Sequence, residues 1–177
     1  AMIYGDTDSC YFSAYPTLKG EIDAGNIPWD KDNVITLYDQ VCEAANTTFP
    51  GFMLEAFHCP KSRSDVIAAA REIVAQSGLY ITKKRYAALV YDIEGFRSDT
   101  DGKPGKVKAM GLDLRRSDTP VFMQQFLSEI LLMVLTDVPQ EDILERITVF
   151  RKEFDDRPGW EKGSPKRANK VGHYRRL

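Results

Sequence analysis

Asp6 and Asp8 stand two residues apart in the string Ile3-Tyr4-Gly5-Asp6-Thr7-Asp8-Ser9. Residues two apart in an extended chain face the same side. Around a tight turn, both carboxylates could still reach one metal-binding pocket. Hard divalent cations such as Mg²⁺ take oxygen ligands of this kind, commonly one or two carboxylates plus substrate phosphates. The plainer alternative is a polar hairpin turn, because Asp, Thr and Ser all favour turns through local hydrogen bonds. Thr7 and Ser9 read as turn-shaping residues. A second group capable of chemistry is Lys83-Lys84-Arg85-Tyr86, three cations followed by an aromatic ring. Alternation along a strand would put Lys84 and Tyr86 on one face, with Lys83 and Arg85 on the other. Cys10, Cys42 and Cys59 are odd in number and lack CxxC spacing, which points to a reducing compartment and away from zinc. His58 beside Cys59 reads as packing, since no second His/Cys pair stands at zinc spacing.

These residues need elements to hold them. Gly5 opens a turn, and apolar residues alternate on both sides, so residues 1–14 are expected to form a β-hairpin with the two aspartates at its tip. Residues 15–32, with Pro16, Gly20, Gly25 and Pro28, read as a loop. Asp32 can cap a helix over residues 33–47, whose Val34, Leu37, Tyr38, Val41 and Ala45 recur at helical spacing. Pro50-Gly51 is expected to stop it. Residues 52–57 are apolar and fit either helix or strand. Residues 64–74 read as a strand ending in a turn at Gln76-Ser77-Gly78. A long strand over 79–93 is expected to pair with one over 106–114 across a turn-rich connection. Thr119-Pro120 looks like a helix start, with a capping hydroxyl before proline at the first helical position. That helix runs to about residue 135. A second begins near Pro139 or Gln140 with Ile143, Ile147, Phe150 and Phe154 on one face.

At 177 residues, 43% hydrophobic and 28% charged, the composition is that of a globular chain with enough length to bury a core. No apolar run reaches the roughly 18 residues that would span a bilayer, and there is no secretory leader pattern. The net charge of −2 hides an asymmetry. Acidic residues dominate through Tyr80, and basic residues dominate from Ile81 onward. The bias is strongest at the end, where Arg157, Lys162, Lys166, Arg167, Lys170, Arg175 and Arg176 cluster. Local clusters of this kind are what phosphate binding requires.

Tyr4-Gly5-Asp6-Thr7-Asp8-Ser9 resembles the YGDTDS signature of family-B DNA polymerases, their third conserved palm motif. Thr82-Lys83-Lys84-Arg85-Tyr86 resembles the KKRY motif of the same family. Residues 108–120, Lys-Ala-Met-Gly-Leu-Asp-Leu-Arg-Arg-Ser-Asp-Thr-Pro, resemble the segment leading from palm to thumb, in wording closest to the polymerases of T-even-like bacteriophages. Block order and spacing fit that family over nearly the whole chain. The resemblance implies an α+β fold: an antiparallel palm sheet with flanking helices over 1–117, followed by an incomplete helical thumb base over 118–177.

The resemblance also implies roles. Asp8 would be the stronger metal ligand and Asp6 a ligand or support, for two Mg²⁺ ions shared with a companion chain. Asp65 matches an acidic position near the metals, usually Glu. Lys83, Lys84, Arg85 and Tyr86 would contact primer–template DNA near its growing end, with Lys84 reaching minor-groove acceptors. Lys106, Lys108, Arg115, Arg116, Lys166 and Arg167 would contact phosphates. The substrates would be deoxynucleoside triphosphates, and the setting the cytoplasm of a bacterial host. Two family motifs, of the DFxSLYPS and KxxxNSxYG types, do not occur here, and there is no room for a proofreading exonuclease. The chain therefore reads as one piece of a larger enzyme, inactive without a companion polypeptide that supplies exonuclease, first palm motif and fingers. Two other classes remain: a non-catalytic DNA-binding module derived from a polymerase, and a DxD metal-dependent glycosyltransferase. The latter leaves Lys83–Tyr86 and Arg115–Pro120 unexplained.

Overall fold

The structure is a computed structural model that describes residues 1–64 and 66–163. It is an α+β arrangement with a four-stranded antiparallel sheet, a separate two-stranded ribbon and flanking helices, as expected. Asp65, Lys166 and Arg167 lie outside the described residues. The chain divides into two compact units, one of Ala1–Val74 with Tyr91–Lys103, the other of Ala75–Val90 with the described residues from Pro104 onward. This partition does not follow the family-derived boundary near Ser117.

In the first unit, β1 (Met2–Asp6) and β2 (Ser9–Phe12) form an antiparallel ribbon in which Tyr4 pairs with Tyr11, Gly5 with Cys10 and Asp6 with Ser9. Residues 15–32, expected as a loop, contain α1 (Tyr15–Asp23). Pro16 falls in its first turn, where the missing N–H costs nothing because no partner is available there. Next comes α2 (Lys31–Phe57), which starts earlier and ends later than expected. Its cap is Asp30, not Asp32: the Asp30 carboxylate accepts the backbone N–H groups of Asp32 and Asn33 at 3.1 and 3.0 Å. The helix also continues through Pro50, which removes one backbone donor without ending it. It stops at His58, which adopts the left-handed conformation (φ 51°). Residues 66–72, expected to be strand, carry neither helix nor strand.

The sheet begins with β3 (Ile73–Thr82), which runs through Ser77-Gly78 where a turn was expected. It pairs with β4 (Arg85–Ile93), which also pairs with β5 (Phe96–Arg97) and β6 (Lys106–Met110). Flanked on both edges, β4 is buried from Tyr86 to Asp92. In the first unit Tyr91 packs with Val34, Val74, Trp29, Ile35 and Tyr38. Asp92 is 1% exposed and ion-paired with Arg71, which also holds Asp39 at 2.6 Å. The Gly95 N–H donates to the same Asp92 carboxylate at 3.0 Å. A buried acid is tolerated here because its carboxylate is paired with a cation and accepts a backbone N–H.

In the second unit Ala87 and Leu89 of β4 pack with Leu131, Leu132 and Leu135 of α3 (Val121–Leu135) and with Val107, Ala109 and Leu112. α3 begins one residue later than expected. Pro120 occupies the cap position, while the Thr119 hydroxyl donates to the Asp113 carbonyl at 2.9 Å. The following helix, α4 (Gln140–Asp156), bears the expected inward face of Ile143, Ile147, Phe150 and Phe154. Phe150 stacks on Phe126 of α3 with ring centroids 3.6 Å apart. A short α5 (Gly159–Lys162) follows.

Candidate functional site

Thr7 and Asp8 form the two-residue turn between β1 and β2. Gly5 does not open this turn: it lies within β1, opposite Cys10. Thr7 takes the positive φ instead, at 57°, a region costly for a β-branched residue. Local bonds hold it there. Thr7 Oγ1 donates to Asp6 Oδ1 at 3.2 Å, and Ser9 Oγ donates to the Asp6 carbonyl at 3.1 Å. Thr7 and Ser9 thus shape the turn, and Asp6, half-buried, is engaged within it. Asp8 is exposed and has no hydrogen bond or ion pair among the described residues. Two oxygen-donor side chains at one tip suit a hard cation, whose remaining positions are commonly filled by water and substrate phosphate. Among the described residues no three of His, Cys, Asp and Glu gather as a metal-holding group.

The basic residues belong to the other unit. Lys83 and Lys84 are not strand residues with alternating faces: they are the turn of the β3–β4 hairpin. Lys84 has a positive φ of 61°. Its side chain therefore leaves a bend and does not share a strand face with Tyr86. Tyr86 is 3% exposed and stacks on Tyr80 at 5.6 Å between ring centroids. Burial, with Tyr86 alongside, pushes the Tyr80 phenol up to about 12.

Register explains why the second and third sequence blocks meet. Tyr86 pairs with Met110, Ala88 with Lys108 and Val90 with Lys106, so Lys106 and Lys108 share one face of β6. Gly111 ends this pairing with φ +65°. A Cβ there would collide with the Lys84 carbonyl oxygen and meet Arg85 Cγ at 3.0 Å. Arg85 Nε donates to the Gly111 carbonyl at 3.2 Å. Gly111 is therefore the position that lets the lysine turn sit against the following strand. Its signal in the sequence is a glycine directly after an apolar–cationic alternation.

Arg115 is exposed, with Nη2 3.4 Å from the Val107 carbonyl. Arg116 is also exposed but already paired, to Asp118 at 2.8 Å and Asp113 at 3.9 Å. The Arg116 guanidinium holds the Asp118 carboxyl below its ordinary range. Asp118 escaped the sequence reading, although Arg-Arg-Ser-Asp places an acid within reach of the second arginine. Among the described residues, Lys83, Arg85, Lys106 and Arg115 lie exposed in this unit, and Lys108 is half-buried.

No protein-family model matches the chain, and no curated protein matches it significantly. In the described residues no helix is long and apolar enough to cross a membrane.

Proposed function

We propose that the chain is the carboxyl-proximal palm (residues 1–117) and thumb base (118–177) of a DNA-dependent DNA polymerase of family B, assembled with a companion polypeptide. One observation carries this reading. Tyr86 of the KKRY-like block pairs with Met110 of the third block across two antiparallel strands, and the lysine turn of the first meets the second where Gly111 approaches the Lys84 carbonyl. Two sequence blocks that resemble one family therefore build one local structure, which a chance string match does not require.

In this reading Asp8, exposed and unpartnered, would hold a divalent ion, with Asp6 ligating or buttressing it. Mg²⁺ bound there would supply charge stabilisation for in-line displacement at the α-phosphate. The tip needs no protein nucleophile. The Lys83-Lys84 turn and the cations of β6 would position primer–template DNA through its phosphates, with affinity that falls as salt rises. Lys84, on its bend, would touch the terminal pair through minor-groove acceptors, which all correct pairs present alike. Tyr86 would act by supporting the hairpin from beneath.

Primer extension tests the proposal. The isolated chain is expected to incorporate no nucleotide. Activity is expected when a fragment carrying the DFxSLYPS and KxxxNSxYG motifs is added with Mg²⁺. Extension by the isolated chain would overturn the split arrangement, and DNA binding without extension in the mixture would favour the non-catalytic module.

A further inference from the structure

β3 and β6 are outer strands of the sheet, each paired only with β4 among the described residues. An outer strand presents a row of unpaired N–H and C=O groups, and proteins commonly blunt it with charge, proline or a covering group. β6 is blunted in this way. It has five residues, two of them lysine, and Pro104 stands just before it. The Arg115 guanidinium lies against its Val107 carbonyl at 3.4 Å. β3 has none of these devices. Its ten residues include no charge and no proline.

Apolar side chains of β3 are uncovered as well. Ser77, Leu79 and Ile81 share one face of the strand. The Ser77 hydroxyl donates to the Leu135 carbonyl at the end of α3, but Leu79 and Ile81 stay 39% and 54% exposed. On the opposite face Tyr80 stacks inward on Tyr86 of β4, away from the open edge. The two ends of the strand differ in charge. Exposed Glu72 directly precedes β3, and the exposed Lys83-Lys84 turn directly follows it. An antiparallel copy of this strand therefore meets opposite charge at both ends, whereas a parallel copy meets like charge. A register centred on Gly78 keeps each face continuous across the junction. It sets Leu79 against Ser77 of the second copy and Ile81 against Ala75 of the second copy, large against small.

We propose that β3 is the interface between two copies of this chain, paired antiparallel about a twofold axis at Gly78 so that their sheets become one. The second copy satisfies the open backbone edge and covers Leu79 and Ile81.

Sedimentation velocity of the full chain over a dilution series, with hydrogen exchange at both ends of that series, tests the pairing. The expected result is a mass of two copies that falls to one on dilution. Amide protection should be lost with it in residues 73–82 and not in β6. Leu79→Lys combined with Ile81→Lys is expected to raise the dissociation constant by about tenfold or more, since each lost cross-strand pair occurs twice by symmetry. Val149→Lys, at a comparably exposed position on α4, is the control and should leave it unchanged. A single copy at every concentration, protection that changes elsewhere, or assemblies that keep growing past two copies would overturn the proposal. So would an unaltered dissociation constant in the folded double variant, or a β3 edge protected only once another polypeptide is added. The exchange measurement needs no substitution, so it decides the matter even where the double variant folds poorly. The readout is independent of any polymerase activity.

Discussion

Among the described residues Asp8 has no hydrogen bond or ion pair, unlike several other acids of its unit. Asp39, Asp92 and Asp99 are all held by arginine. In a reconstituted enzyme Asp8→Ala is expected to lower turnover by about 10²–10³ or more, the scale of losing one electrostatic stabiliser. Primer–template affinity by fluorescence anisotropy should not fall, since a negative charge near phosphate has been removed. Lys84 offers a cleaner separation of fold from function than its neighbours. Because its φ is positive, Lys84→Gly removes the charge while relieving about 1 kcal/mol of backbone cost. The variant should melt at or above the parent temperature and yet bind primer termini more weakly. An unchanged affinity would remove Lys84 from the interface. Arg116 behaves differently because Asp118 and Asp113 compete for it. Asp118→Asn should raise DNA affinity and steepen its salt dependence by up to about one unit of slope, whereas Arg116→Ala should flatten it. Titration at two salt concentrations checks both signs.

At the scale of elements, the strongest periodic signals survived and the punctuation signals misled. The face of α4 and the pairing of β4 with β6 could be read from apolar spacing, because burial selects those residues directly. Pro16 and Gly20 disguised α1, although proline in a first turn is compatible with helix. Pro50 likewise failed to end α2. The lysine turn contains no glycine or asparagine, so apolar alternation alone reads through it as strand. As a result Lys84 and Tyr86 do not share the strand face expected of them, although β4 and β6 pair as their spacing implies. Asp6 and Asp8 were legible as a tip, but the residue that takes its positive φ, Thr7, was not. The hairpin gives an element-scale prediction. Gly111→Ala must strain φ and push against the Lys84 backbone, which cannot rotate away as a side chain would. A loss of about 1–3 kcal/mol is expected. Hydrogen exchange should show it as faster opening of β3, β4 and β6.

For the molecule as a whole, two phenols set the alkaline limit. Burial pushes Tyr80 and Tyr91 each up to about 12, with Tyr86 and Tyr38 as the next contributors. An exposed tyrosine titrates near 10, so the folded chain keeps these protons longer than the unfolded chain does. Their contribution to stability is complete below about pH 10 and is lost as pH climbs toward 12. Asp99 acts at the other end. Arg97, then Lys31, hold its carboxyl well below the usual range, so its contribution is full above about pH 4 and fades as pH falls. Chemical unfolding followed from pH 7 to 12, with tyrosinate absorbance as a second signal, should show the decline and the two late phenols together. The division of the chain has a different kind of consequence. The backbone passes between the units at Val74–Ala75, Val90–Tyr91 and Lys103–Pro104. A genetic crossover before residue 75 divides the first unit, one after residue 103 divides the second, and one between divides both. Related genes that exchange segments within this stretch therefore always join halves of a core with separate histories. Viable hybrids should carry compensating changes at Val34, Val74 and Tyr91 or at Ala87, Leu89 and Leu135.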